Sequence, residues 1–171
     1  EDTFNEIVPE AFERELRKIG MAGEKFAFET ICARFSSWQE VMRTAVKAVF
    51  YLPEKDIRAV VDYPDTDTYK QAGWDIRVQL SGAVEDCYYI EVKTHTTKSV
   101  VKRRLFISQT QLQMAAKYGA HYIIFVAEYH KLERRCQGVR EYPDLLRLFA
   151  EGKIRSVVKT FDFELTGPEV A

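Results

Sequence analysis

The sequence is poor in the residues that would make it a disulfide scaffold, a zinc protein or a membrane span. Its three cysteines, Cys32, Cys87 and Cys136, are scattered. An odd number without a Cys-x-x-Cys pair argues against a disulfide framework and a zinc site. Three dispersed histidines argue against a histidine-rich structural metal centre as well. Free thiols of this kind fit a reducing compartment, so an intracellular, cytoplasmic protein is expected. No apolar run approaches the ~18–20 residues that cross a bilayer. No leading segment has the layout of a signal peptide. A chain that begins at Glu1 instead of Met is expected to be a piece of something larger.

An excess of positive charge is also missing. The formal net charge is -1, so affinity for nucleic acid would have to come from local clusters. A Gly-rich phosphate loop is absent, which disfavours an intrinsic ATPase. Repeats and low-complexity segments are absent too. What remains is ordinary globular composition. With 171 residues, 46% hydrophobic and 30% charged, the chain can bury the core of one domain.

Periodicity organises the chain. Phe12, Leu16 and Ile19 fall at helical spacing after Pro9, predicting a helix from residue 9 or 10. Gly20 and Gly23 punctuate it. A second helix is expected over 24–36 on Phe28, Ile31 and Phe35, and a third over 38–50 on Trp38, Val41, Met42, Ala45 and Val49. Strands follow. Ile57, Ala59 and Val61 alternate, and 62–72 reads as a polar loop. Residues 74–80 alternate cleanly, as do 87–94, where Tyr89, Glu91 and Lys93 share one face. Ser108 followed by Gln111 reads as a capping box opening a helix that runs to Tyr118 and stops at Gly119. The apolar run Tyr122-Ile123-Ile124-Phe125-Val126 suits a strand buried on both faces. A basic loop over 131–140, a short helix over 143–149 and a late strand over 154–165 complete the expectation. The fold class is α/β: an N-terminal helical extension over 1–20, then a domain over 21–165 with a mixed central sheet flanked by helices.

The chemistry concentrates on Gly73-Trp74-Asp75-Ile76 and Ile90-Glu91-Val92-Lys93. Fifteen residues lie between Asp75 and Glu91, which a turn between two strands can span. Glu91 and Lys93 share a strand face because side chains alternate with period two. In a matching antiparallel register Asp75 would join them. Converging carboxylates repel one another and suit a hard divalent cation such as Mg2+ or Mn2+. Such a cation polarises a phosphoryl oxygen and acidifies a bound water. A neighbouring lysine stabilises the charge that develops on phosphorus-bound oxygens. Taken alone, Glu-x-Lys on a strand is usually a solvated charged face, and Asp after Gly is often turn chemistry. The conjunction of the elements is rarer than any one of them.

Those elements, with Ala22-Gly23-Glu24-Lys25-Phe26, Tyr89-Ile90-Glu91-Val92-Lys93-Thr94 and Phe106-Ile107-Ser108-Gln109-Thr110-Gln111, carry a family likeness over about residues 20 to 130. The chain resembles the PD-(D/E)XK nuclease superfamily, most closely the restriction-endonuclease-like branch that includes Mrr-type enzymes and the NO VEIN C-terminal domain. The resemblance implies a restriction-endonuclease-like fold. It implies Asp75 and Glu91 as metal ligands joined by the Val92 carbonyl, Lys93 as the catalytic lysine, and a Mg2+ (or Mn2+) cofactor. A glutamate on the leading helix often completes such sites. Glu24 is the first choice, because it shares a helical face with Phe28 and Ile31, and Glu29 is the second. Either could instead be a surface glutamate favoured by a helix N-terminus. Where the NO VEIN-like pattern often has an acid, this sequence has Gln111. It resembles the glutamine of other nuclease branches, and its capping role stays open beside a substrate- or water-orienting one.

Lys98, Lys102, Arg103 and Arg104 follow the Glu91–Lys93 strand and are the expected phosphate contacts. A second basic group, Lys131, Arg134, Arg135 and Arg140, reads as a solvated loop. Tyr88, Tyr89 and Trp74 read as core or sheet-face residues. The expected function is a metal-dependent endonuclease domain acting on nucleic acid, DNA ahead of RNA, within a larger defence, restriction or repair protein. A homodimer is the assembly that would cut both strands. The alternative is a catalytically inactive nuclease-fold module for nucleic-acid binding or complex assembly.

Overall fold

The computed structural model describes residues 10–63, 73–96 and 105–153. The first element, α1, is one continuous helix, Glu10–Ala33. Its buried positions, Ile19, Gly23, Ala27, Phe28, Ile31 and Cys32, recur every three to four residues and form one stripe. The break expected at Gly20 and Gly23 does not occur, and the boundary expected between residues 20 and 21 falls inside this helix. Gly23 has a different task. A Cβ there would lie 1.9 Å from the Thr94 hydroxyl oxygen. The glycine therefore lets α1 lie directly against the strand that carries Glu91 and Lys93. That close approach offsets the ~1 kcal/mol by which glycine weakens a helix relative to alanine.

The third helix expected over 38–50 is a β-hairpin instead: β1, Gln39–Arg43, and β2, Lys47–Leu52. Thr44 builds its turn without glycine or proline. The Thr44 N–H donates to the Lys47 carbonyl at 2.7 Å, and the Lys47 N–H donates to the Thr44 hydroxyl at 3.0 Å. Ala48 and Phe50 are buried on one face of β2. The helical spacing of Val41, Met42, Ala45 and Val49 was a coincidence of composition. All of β1 is exposed, so it lacked the alternation that marks a strand. Pairing with a neighbour then overrides local propensity.

Five further strands complete the sheet: β3, Ile57–Asp62; β4, Ile76–Gly82; β5, Asp86–Thr96; β6, Tyr122–His130; and β7, Arg135–Pro143. The order in space is the order in sequence, β1 to β7. All neighbours are antiparallel except β5 and β6, which are parallel. A parallel pair needs a crossover, and α2, Gln109–Tyr118, lies within it. A short helix α3, Leu145–Ala150, follows β7. The basic segment expected as a loop over 131–140 is a turn and then part of β7, an edge strand whose charged residues discourage further pairing. The expected acidic loop lies outside the described residues beyond Tyr63, and so does the expected late strand over 154–165.

The sheet is covered on both faces. Ala27, Phe28 and Ile31 of α1 pack with Phe50, Val61, Ile76, Ile90 and Val92. On the other face Ala115 of α2 packs with Tyr122, Ile124 and Val126, backed by Trp74, Tyr89, Met114 and Leu145. Trp74, Tyr88 and Tyr89 are thus partly buried sheet-face residues. One irregularity matters most. The β4–β5 ladder begins at the Ile76–Ile90 pair, while β5 runs on beside β6 to the Thr96–Tyr129 pair. Glu91 and Lys93 therefore lie where β5 has outrun the start of β4.

Because Thr94 is branched and cannot swing away from a Cβ at residue 23, Gly23→Ala is expected to destabilise the domain. The size is about 1–3 kcal/mol, as for other overpacked sites. Adding Thr94→Ala should restore part of the loss in urea unfolding. A Gly23→Ala protein as stable as the parent would show that α1 and β5 do not approach this closely.

Candidate active site

The end of the β4–β5 ladder assembles the site. The Asp75 N–H still donates to the Ile90 carbonyl, at 2.8 Å. Its side chain then takes over from the missing ladder: the Val92 N–H donates to Asp75 Oδ2 at 2.7 Å. An exposed strand edge would leave that amide to water, and here a carboxylate accepts it. The same contact holds the Asp75 carboxyl against β5. The antiparallel register that pairs Ile76 with Ile90 places Asp75 opposite Glu91. Val92, whose carbonyl the resemblance would bring to a cation, is engaged here through its N–H.

Glu91 is 6% exposed and is the one buried charged residue among those described. An isolated buried carboxylate is costly, so it needs partners. Lys93 Nζ lies 2.9 Å from Glu91 Oε1. Gln111 Nε2 donates to the same oxygen. Gln111 Oε1 in turn accepts from Lys93 Nζ at 3.1 Å and from the Ser108 N–H at 2.9 Å. Ser108 closes the capping box by accepting from the Gln111 N–H. The capping role of Gln111 is present, and the same side chain also reaches Lys93 and Glu91. One amide caps α2 and bridges Lys93 to Glu91, and all these contacts agree with one orientation of its oxygen and nitrogen.

The leading helix gives the two glutamates different surroundings. Glu24 and Glu29 are five residues apart, or about 140° around a helix, so they cannot serve one site. Glu29 is exposed and pairs with Arg43. Glu24 accepts a hydrogen bond from the Tyr63 hydroxyl at 2.6 Å, and its charge bears on both Asp75 and Glu91. Since α1 starts at Glu10, Glu24 is far from the helix N-terminus and owes nothing to its dipole.

The fit to a divalent cation can be judged from these groups. Burial first, and Glu91 second, push the Asp75 carboxyl up to about 7 against the pull of the Val92 N–H. Burial likewise raises Glu91, opposed by Lys93. Both acids would shed that penalty beside a cation. Among the described residues no three His, Cys, Asp or Glu side chains come close enough together to hold one ion. Mg2+ asks for less: it keeps several waters and is commonly held through one or two carboxylates. Asp75 and Glu91 form such a pair.

The model of the Protein NO VEIN C-terminal family matches residues 23–136. The chain belongs to this family. No curated protein and no solved structure matches. The NO VEIN C-terminal match opens at Gly23, the helix residue against Thr94, and closes just inside β7. Glu24, Tyr63, Asp75, Glu91, Lys93 and Gln111 all fall within it.

Two tyrosines of this NO VEIN C-terminal domain escaped the sequence reading. Tyr63 follows β3, and no pattern marks it. Tyr122 is fully buried and donates to the Gly73 carbonyl at 2.7 Å. It thereby fixes the residue that leads into Asp75. Its place in an apolar run was a usable signal, because a buried tyrosine hydroxyl needs an acceptor. Gly73 itself has φ +74° and sits against Thr110 and Met114 of α2. Lys98, Lys102, Arg103 and Arg104 lie outside the described residues. Of the second basic group, Arg135 pairs with Glu133 and Arg140 with Glu128. No helix among the described residues is long and apolar enough to cross a membrane.

The raised Asp75 carboxyl has a consequence for stability. The unfolded chain releases this proton near its ordinary value of 3.8, the folded domain only at about 7. Between those limits the folded state holds more protons, so stability falls as pH rises. Without divalent cations, the urea midpoint should therefore decline from about pH 4 to about pH 7 more steeply than in Asp75→Asn. The variant should be the more stable of the two above that window. Parallel pH profiles for the two proteins would contradict the assignment.

Proposed function

We propose that this domain is a divalent-metal-dependent nuclease of the PD-(D/E)XK type that hydrolyses phosphodiester bonds in nucleic acid, with DNA the first substrate to test. The observation that carries the reading is the joining of Asp75, Glu91 and Lys93 at one point of the sheet. Two carboxyls, each raised by burial, stand beside a lysine ammonium. A surface charge pattern has no reason to bury an acid, whereas a cation site does.

Asp75 and Glu91 would hold the cation. Bound there, it would polarise a phosphoryl oxygen and acidify a water. The protein's own groups supply the rest. The Val92 N–H fixes the Asp75 carboxyl, so the first ligand is set before any cation arrives. Gln111 fixes Glu91 and Lys93 together, and its own position is set by the start of α2. The Lys93 side chain is about one-fifth exposed, so its ammonium can reach a substrate oxygen as negative charge develops there. The cation would relieve Lys93 of part of its role as partner to Glu91. Lys98, Lys102, Arg103 and Arg104 would contact phosphates, and the parent would be a larger defence, restriction or repair protein, acting as a dimer where both strands are cut.

A second reading draws on the closed Lys93–Glu91–Gln111 network. A fully satisfied buried ion pair is also what an inactive nuclease-fold module for binding or assembly would keep. Cleavage separates the two. Plasmid, linear and single-stranded substrates are to be incubated with the protein in Mg2+, Mn2+ or EDTA. Cutting should require the divalent ion and fall at least about a hundredfold in Asp75→Ala, Glu91→Ala and Lys93→Ala, the loss typical of a transition-state contact. Metal-independent cutting, or full activity in all three variants, would sink the nuclease reading.

A further inference from the structure

Tyr63 takes no part in the trio, yet its hydroxyl is committed to an acid that faces it. The Tyr63 O–H donates to Glu24 Oε2 at 2.6 Å across a gap of 39 residues in sequence. Both ends of this contact are anchored. The Tyr63 N–H donates to the Val46 carbonyl at 2.7 Å, which ties the residue to the β1–β2 hairpin. Its ring lies 6.1 Å from that of Phe28, one helical turn beyond Glu24 on α1. Glu24 is thus held from the residue that follows β3. It stands close enough for its charge to bear on both acids. It does not stand close enough to make a three-acid ligand group with them.

Resting on the cation reading above, we infer that Tyr63 is a positioning residue that fixes Glu24 as an acceptor for the waters of a cation held by Asp75 and Glu91. The geometry favours this role over direct ligation. One Glu24 oxygen is spent on the phenol, which limits how far the carboxylate can swing. A hydrated divalent ion on a carboxylate pair presents water protons outward, and a fixed carboxylate at the rim accepts them. Partners of this outer kind typically tune metal affinity by about 10–100-fold.

Mn2+ binding tests this without reference to cleavage. Affinity is to be measured by electron paramagnetic resonance, and the number of Mn2+-bound waters by water-proton relaxation. Tyr63→Phe keeps the ring and removes only the hydroxyl. Glu24→Gln keeps size and removes the charge. Each should weaken Mn2+ binding by about tenfold. The double variant should bind no more weakly than either alone, because both remove one linked interaction. The count of bound waters should equal that of the parent throughout. Glu24→Asp, which withdraws the carboxylate from an intact Tyr63, should lose affinity as well. Parent-like binding by Tyr63→Phe, losses that multiply in the double variant, or an extra bound water in Glu24→Gln would each overturn the inference. If Asp75→Asn abolishes binding while Tyr63→Phe does not weaken it, the inference alone fails. A parent protein that binds no Mn2+ removes the cation reading and this inference together.

Discussion

Two carboxyl groups, Asp75 and Glu91, meet where β5 outruns β4, and much of the structure around them exists to make that meeting tolerable. Neither acid has the water that would normally stabilise its charge, burial raises both, and Glu91 raises Asp75 further. The domain answers with fixed donors. Val92 offers its main-chain N–H to Asp75, and Lys93 and Gln111 converge on Glu91. The compensation is uneven. Glu91 receives a full positive charge from Lys93, and Asp75 receives one amide at its oxygen. Burial first and Glu91 second push Asp75 up to about 7, and the Val92 amide only partly opposes them.

The frame that fixes the acids follows from strand direction. Six antiparallel neighbours would have given a meander with simple turns. The parallel step from β5 to β6 forces the chain across the sheet and brings it back through α2. That return is what places Gln111 above the carboxyl end of β5. Ligand sites in open α/β sheets gather at such ends for the same reason: strand termini and returning helices converge there. Three contacts then set the position of the frame. Gly23 lets α1 touch Thr94, one residue past Lys93. Tyr122 pins Gly73, two residues before Asp75. Tyr63 joins β3 to α1 through Glu24.

What was legible in the sequence depended on whether a segment's own pattern matched its final surroundings. Residues 74–80 and 87–94 alternate because they have one face on each core, so β4 and β5 could be read, and the shared face of Glu91 and Lys93 with them. Ser108 and Gln111 announced α2 through hydrogen bonds that close within four residues. The failures were segments defined by distant partners. Gly23 looks like a helix stop until Thr94 is beside it. Val41 and Met42 look like a helical stripe because β1 is exposed along its length and earns its conformation from β2 alone. The basic residues of β7 look like a loop because an edge strand can carry charge on both sides. Glu24 was preferred to Glu29 for the helical face it shares with Phe28 and Ile31, and the continuous helix Glu10–Ala33 keeps that phase and leaves Glu29 exposed beside Arg43. Tyr63 had no local signal at all, since its partner is 39 residues away.

Gln111 shows how a local capping device can also set side chains on a distant strand. A capping box is a local device worth about 1 kcal/mol to a helix. Here the capping oxygen is also the acceptor for Lys93, and the same amide's nitrogen serves Glu91. The first turn of α2 therefore cannot form correctly without setting the lysine and the glutamate at their spacing. An acid in place of Gln111 would still accept at the cap, but it would have no N–H for Glu91 and would add a third negative charge beside two strained carboxyls. The glutamine thus binds local folding to the arrangement of the trio. On the proposed reading a cation would join Lys93 and Gln111 at Glu91, which is the acid they already share.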